Sequence, residues 1–318
     1  MRCAVWRLLG ATFLLLLVAP ASEAATTCLF DTTGPTLRLT ADCTTDASIV
    51  IADGMTLDGG FFTITALDPP AGAFEGGVIV NGGGTASVLN TRIVGMLARR
   101  SCHGGPARLR GIFFDGASGL IRGNTILDLN QGASRCNEGN GIEVRNALGN
   151  GDVVVEIDHN TIDAFQKSGI VASGDAEVWI HDNHLGPSAT QESVAANGVQ
   201  VGFGAKAVIE RNQIAGNSWS VDANWAATGV LLFGSAPGTL VRDNDIEGNA
   251  DIGIHVQADG ATIDGNRLFE TGPDGFYDIG IGNYGIGNVI TNNNVRGYTN
   301  SYDGNGAQEV KAIRIARR

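Results

Sequence analysis

An asparagine returns seven times along this chain in one local frame: apolar, two variable residues, Asn, one variable residue, apolar. The matches are IRGNTI (121–126), IDHNTI (157–162), IHDNHL (180–185), IERNQI (209–214), VRDNDI (241–246), IDGNRL (263–268) and ITNNNV (290–295). VLNTRI (88–93) fits with Thr91 at the Asn position. Successive asparagines stand 36, 23, 29, 32, 22 and 27 residues apart. A shortest step near 22 with longer ones between is a coil of fixed length carrying loops inserted at tolerated points. A second frame, Gly-apolar-variable-apolar, alternates with the first: GVIV (77–80), GIFF (111–114), GIEV (141–144), GIVA (169–172), GVQV (198–201), GVLL (229–232) and GIHV (253–256), with DIGI (278–281) following. Both frames alternate with period two, the pattern of strands with one buried face. No stretch between them reads as a helix. Two short strands per repeat, always in the same order, make a solenoid whose coils stack in parallel.

Stacked coils bring each Asn within about 4.8 Å of the next, close enough for amide to pair with amide. These repeats resemble the right-handed parallel β-helix repeats of the pectin-lyase-like superfamily, over about Ser48 to Val295. TLDGGFFTIT (56–65) is similar to an entry coil of that family. The resemblance implies an all-β fold: a single-stranded right-handed parallel β-helix of about eight to ten coils. It also supplies negatives. The Asn-Thr-Asp, Asp-Asp, Gly-His-Gly and Arg-Ile-Lys motifs of polygalacturonases are absent. So are calcium-binding Gly-Gly-x-Gly-x-Asp repeats and the Thr-x-Thr arrays of ice-binding solenoids.

The stretch VWIHDNHL (178–185) tests the repeat reading, because two histidines and an aspartate could make a metal site. In register, Ile180 and Leu185 point inward, Asn183 is the ladder residue, and His181, Asp182 and His184 face out. The column two before Asn then reads Arg122, Asp158, His181, Glu210, Arg242, Asp264, Thr291. The next column reads Gly123, His159, Asp182, Arg211, Asp243, Gly265, Asn292. Opposite charges adjoin at several steps, as on a solvated sheet face. No metal site is therefore assigned. The stretch is similar to the Trp-Ile-Asp-His motif of pectate lyases with His and Asp exchanged, but no Arg-x-Pro-x-x-Arg follows.

Arg2 and Arg7, an apolar run from Leu8 to Val18, and small residues to Ala24 have the order of a cleaved signal peptide, residues 1–24. The run is short of the ~20 residues a spanning helix needs. The expectation is a secreted or periplasmic protein with no membrane insertion. Four cysteines follow the leader, and an even count in an exported chain suggests two disulfides. Of three connectivities, the sequence neighbours Cys28–Cys43 and Cys102–Cys136 are favoured. Net charge is -12 with three lysines, which repels phosphate backbones and argues against nucleic acid. Residues 25–318 read as one domain, with an N-terminal disulfide cap over about 26–60 and a C-terminal cap over about 296–318.

The outward columns of the Gly frame are mixed. One reads Ile79, Phe113, Glu143, Val171, Gln200, Leu231, His255, Gly280; the other Asn81, Asp115, Arg145, Ser173, Gly202, Phe233, Gln257, Gly282. A solvated face would be more uniformly polar. Insertions at about 127–140, 186–197 and 215–228 enter before these strands and would rim a groove. They and shorter neighbours carry Trp219, Trp225, Phe165 and Tyr277, and aromatic rims suit sugar rings. Asp115, Glu143 and Arg145 form the tightest polar group, the backbones of the two acidic residues roughly 8 Å apart from strand spacing and rise. Such a pair suits acid–base glycoside cleavage, or holds Ca²⁺ against a uronate carboxylate. Lys167 is then a better base than Arg145 for the proton beside that carboxylate. The catalytic candidates are Asp115, Glu143, Arg145 and Lys167; the substrate contacts are Gln200, Trp219, Trp225, His255 and Tyr277. Two functions fit: a lyase or glycoside hydrolase acting on polysaccharide, or a non-catalytic extracellular β-helix that binds glycans or serves a cell-surface structural role.

Overall fold

The computed structural model describes residues 26–132, 136–147, 149, 151–189, 194–272 and 276–306. The leader (1–24) and residues 307–318 of the expected C-terminal cap lie outside the described residues. Among the described residues the chain is all-β: strands in three long sheets and one short 3₁₀ turn at Gly105–Ala107. Every strand pairing is parallel except the first, where Phe30–Thr33 runs antiparallel to Thr36–Leu39. The sheets have 11, 10 and 10 strands, and each full coil gives one strand to each. A coil thus has three strands, where two were expected from the sequence. The Asn frame straddles a corner: Ala176–His181 precedes it and His184–Leu185 follows, in different sheets. We call the three the Gly sheet, the pre-Asn sheet and the post-Asn sheet.

That corner has a simple cause. The residue before each ladder Asn takes the left-handed conformation: His159 (φ 55°), Asp182 (53°), Arg211 (52°), Asp243 (53°), Asn292 (55°), with Gly123 and Gly265 at 68° and 67°. One such residue swings the chain from one sheet to the next, and Asn, Asp and Gly tolerate it best. The buried Asn then satisfies the turn. From Asn124 to Asn266, each backbone N–H and each Nδ2 donates to the Oδ1 of the next rung, at 2.9–3.0 Å. Thr91 ends the ladder: its N–H donates to Asn124 Oδ1, while its hydroxyl turns back to Leu89 O.

Three aliphatic stacks fill the core. In the Gly sheet, Ile79, Ile112, Ile142, Ile170, Val199, Val230, Ile254 and Ile281 are register partners in turn, all fully buried. Each such side chain contributes about 1.5–3 kcal/mol by leaving water. The Gly of the Gly frame is needed for close approach. A Cβ on Gly141 would lie 2.5 Å from Ile162 Cγ2 and 2.7 Å from Gly169 O.

Two columns of the Gly sheet differ from the sequence alignment. Ile79 is an inward core residue; Phe113 pairs with Val80. His255 pairs with Gly282, so Gly280 lies outside that column. The first shift arises because Gly77 pairs with Arg110, one position ahead of the frame's Gly111. Both disulfides join the expected partners, Cys28–Cys43 and Cys102–Cys136. Asn300–Gly304 forms the last strand of the Gly sheet, inside the range expected to be cap.

The outward columns of the pre-Asn sheet alternate in charge as expected. Arg122 bonds Asp158 at 2.7 Å, Arg211 bonds Asp182 at 2.9 Å, and Arg242 bonds Glu210 at 2.5 Å. The face is less solvated than expected, however. His181 is buried at 6% exposure, with its ring 4.2 Å from that of Trp179 and its nitrogens on Glu156 and Asp182. Arg122 lies on Asp158, Trp179 on His181 and Arg242 on Glu210, and all three covered residues are buried.

Candidate functional site

The outward face of the Gly sheet carries a groove of about 790 Å³. Its floor is one register column, Glu143, Val171, Gln200, Leu231 and His255, one residue from each of successive coils. Its wall is built by the insertion before each strand, including Lys167, Ala195, Trp219 and Trp225. Six sequence-derived residues line it: Glu143, Lys167, Gln200, Trp219, Trp225 and His255. Asp115, Arg145 and Tyr277 are not part of its lining.

The four catalytic candidates therefore do not form one cluster. Asp115 and Arg145 close on each other at 2.5 and 3.1 Å, and that carboxylate holds the guanidinium above the usual arginine range. Arg145 is useless as a base. Glu143 lies on the floor, 5% exposed, and both its oxygens are taken. Arg110 grips them in a fork, Nε to Oε2 at 2.6 Å and Nη2 to Oε1 at 3.0 Å, and Asn140 Nδ2 adds a bond of 2.8 Å. Arg110 is itself fully buried, bonded to the carbonyls of Gly105, Pro106 and Arg108, with Phe113 stacked 4.1 Å from its guanidinium carbon. Sequence reasoning missed Arg110. The signal was there, in the position just before each frame Gly: Arg110, Asn140, Ser168, Asn197 and Thr228 form a buried polar column.

Lys167 is the one candidate base left. Its ammonium donates to Ala195 O at 2.5 Å, and among the described residues it forms no ion pair with a carboxylate. Desolvation lowers its pKa to about 8. Among the described residues, the buried Nε of Arg108, also in the lining, has no partner. Asn140 Oδ1, Ser168 Oγ, Trp219 Nε1 and His255 Nε2 are likewise buried and without a partner among the described residues, and all belong to lining residues. Desolvation also pulls His255 down to about 4, so its imidazole is neutral at ordinary pH; its ring meets Tyr284 edge-on at 5.3 Å.

The aromatics divide by role. Trp225 is 66% exposed on the wall, a free ring. Trp219 is buried with Ala195 and Ala227 in a small core of its own. Tyr277 is a strut, its hydroxyl donating to Ala223 O at 2.7 Å. Phe165 belongs to the main core and is fully buried, so it is no part of the rim. Asp251, fully buried, ties the loop down by accepting from Trp219 N and Ala227 N. Burial lifts its pKa to about 6. Two further aromatics went unassigned as contacts: Phe203 and Phe233, 65% and 44% exposed, also line the groove.

A cation between Asp115 and Glu143 would have to displace an arginine from each, so these residues do not fit Ca²⁺. Glu156, Asp158 and His181 offer ligand atoms within 4.8 Å of one another, but Arg122 already bonds both carboxylates and none of the three lines the groove. His184 bonds Gln213 in the post-Asn sheet, apart from His181. No helix among the described residues is long and apolar enough to cross a membrane.

A family model described as "Right handed beta helix region" matches residues 147–311. Among solved structures, the Dettilon tailspike protein is similar over 85% of this chain and 62% of its own, at 16% identity and TM-score 0.35. The match thus spans less than two thirds of the tailspike's length. A periplasmic alginate epimerase, AlgG, is similar over 86% of this chain and 78% of its own, at 11% identity and TM-score 0.35. The A-module of the mannuronan C-5 epimerase AlgE4 from Azotobacter vinelandii covers 84% of this chain and 90% of its own, at 11% identity and TM-score 0.25. A search of curated protein sequences finds no significant match.

Proposed function

From the premise that this chain belongs to the right-handed β-helix family, we propose that it is an exported protein that binds an anionic polysaccharide in the Gly-sheet groove and cleaves it by elimination. One observation carries the reading: a lysine with its pKa lowered to about 8 stands in a groove with an exposed aromatic wall. The two disulfides support an oxidising compartment, and residues 1–24 would be the leader that delivers the chain there.

The chemistry runs through the amine. Neutral Lys167 takes the proton from the carbon next to a uronate carboxylate. The electron pair left behind becomes a carbon–carbon double bond, and the glycosidic C–O bond on the far side of it breaks. The departing oxygen takes a proton from the Lys167 ammonium or from water. Arg108 would balance the charge that builds on the carboxylate during proton removal. Hydrolysis is the weaker reading because Glu143 has both oxygens committed to Arg110 and Asn140. That same commitment supports a second reading, non-catalytic glycan binding or a surface structural role.

A panel of anionic and neutral polysaccharides separates them, with ultraviolet absorbance for the unsaturated uronate and reducing ends read in parallel, with and without Ca²⁺. Elimination that is lost in Lys167→Ala and kept in part in Glu143→Gln supports the lyase. Reducing ends without ultraviolet gain would indicate a hydrolase. Binding without cleavage across the panel would replace the enzyme by the binding protein.

A further inference from the structure

We infer that Phe203 and Phe233 form a sugar-stacking subsite at the end of the groove remote from Lys167, so that the ligand is an oligosaccharide several rings long running along the strand direction of the Gly sheet. The inference rests on the groove being a glycan site, as proposed above, and adds where the chain runs and how long it must be.

Two costs converge on Phe203. Its backbone sits at φ 55°, in the left-handed region where a bulky residue is a true outlier. The residue is 65% exposed to water. Phe61 and Phe203 are the aromatic residues held this way among the described residues, and Phe203 is the one in the groove. A glycine would adopt the conformation without strain, and a polar residue would suit the exposure. A strained backbone that presents an apolar ring to solvent points to use rather than to packing. Phe233, from the next coil, meets Phe203 edge to face with centroids 5.5 Å apart. Together they make an apolar shelf of two rings inclined to each other by 65°. The C–H face of a pyranose is the apolar surface a glycan offers to such a shelf.

The register sets its distance from the amine. Ser168 pairs with Asn197, so Lys167 is level with Ala196, and Phe203 stands seven positions further along the strand direction (203 − 196). At ~3.3 Å per residue that is roughly 20 Å. No single sugar spans it. Lys167, Ser168 and Asn140 lie at one end of this line and Phe203 and Phe233 at the other, with Gln200 and Leu231 between. A ligand reacting at Lys167 therefore reaches the shelf only through its distant rings.

The test is chain-length dependence of kcat/KM on defined oligouronates of two and six sugars. The variants are Phe203→Gly, Phe233→Ala and Phe269→Ala, the last exposed but outside the groove. The wild type is expected to prefer the six-sugar substrate. In Phe203→Gly and Phe233→Ala that preference falls about tenfold, the scale of one lost aromatic contact. Phe269→Ala keeps it. Thermal unfolding accompanies each variant, and Phe203→Gly is expected to melt no lower than wild type, because strain is removed. A wild-type length preference that survives both groove variants overturns the subsite alone. A wild type without length preference does the same. Failure of every oligouronate to bind or react overturns the glycan reading and the subsite with it.

Discussion

Replacing Asn183 by alanine should be among the most damaging single changes in this protein. The side chain is 2% exposed and sits mid-ladder. Its Oδ1 accepts from Asn160 N and Asn160 Nδ2, both at 3.0 Å. Its Nδ2 reaches Asn212 Oδ1 at 2.9 Å, Ile157 O at 2.8 Å and His181 O at 2.9 Å. Truncation strips Asn160 N of its partner inside the corner, where water does not reach. One orphaned buried N–H costs about 1–3 kcal/mol, and the lost bonds of the amide add about 1 kcal/mol each, for a total of about 3–5 kcal/mol. Asn183→Asp should do no better. It keeps the acceptor for Asn160 but sets a carboxylate against Asn212 Oδ1 and two carbonyls. Asn293, the half-buried last rung, supplies the contrast: its Nδ2 donates to Ile263 O and, among the described residues, to no further asparagine, so Asn293→Ala should cost clearly less. Urea unfolding followed by circular dichroism and by intrinsic fluorescence measures all three, with coincident transitions licensing the free energies. A loss below about 1 kcal/mol for Asn183→Ala would refute the ladder as a stabilising element.

Other consequences follow from the groove. Arg110→Met leaves Glu143 buried without its fork and should cost about 3–5 kcal/mol, while Arg110→Met with Glu143→Leu should recover much of it; urea midpoints decide this. If Lys167 is the base, the rate should rise with pH through about 8, as the amine loses its proton, and level off above; a pH–rate profile flat across that range would remove Lys167 from the role. Asp251 has a raised pKa, so its neutral form is favoured in the folded state. Its contribution to stability should be fullest near pH 4 and fall as pH rises through about 6, a slope that Asp251→Asn should lack in thermal melts at stepped pH.

Much of the fold was legible because it repeats. The ladder asparagines, the aliphatic stacks and the charge-alternating columns each recur often enough for a spacing to be read by eye. Cysteine pairing was legible from nearness in sequence. What the sequence concealed was local. The Asn frame looks like one strand, and only the left-handed residue before Asn splits it across a corner. Gly77 misled the register because it occupies the place that Arg110 takes one coil later. His181 reads as exposed from alternation, yet Trp179, Glu156 and Asp182 cover it. In the site, alternation picks out Glu143 as outward-facing but cannot show that Arg110, three positions before Phe113 on the neighbouring strand, curls over to take both its oxygens. Nor does composition separate a free ring such as Trp225 from a packed one such as Trp219; the loop's own small core decides that.

The central claim is that the groove over the Gly sheet holds a glycan chain. A crystal structure of the protein soaked with a six-sugar oligouronate tests it most directly, using Lys167→Ala to prevent turnover. Sugar density is expected to run from the Lys167 end, past Gln200 and Leu231, to a ring stacked on Phe203 and Phe233. Density seated elsewhere on the solenoid, or an empty groove at saturating oligosaccharide in crystals whose groove is open to solvent, would contradict it.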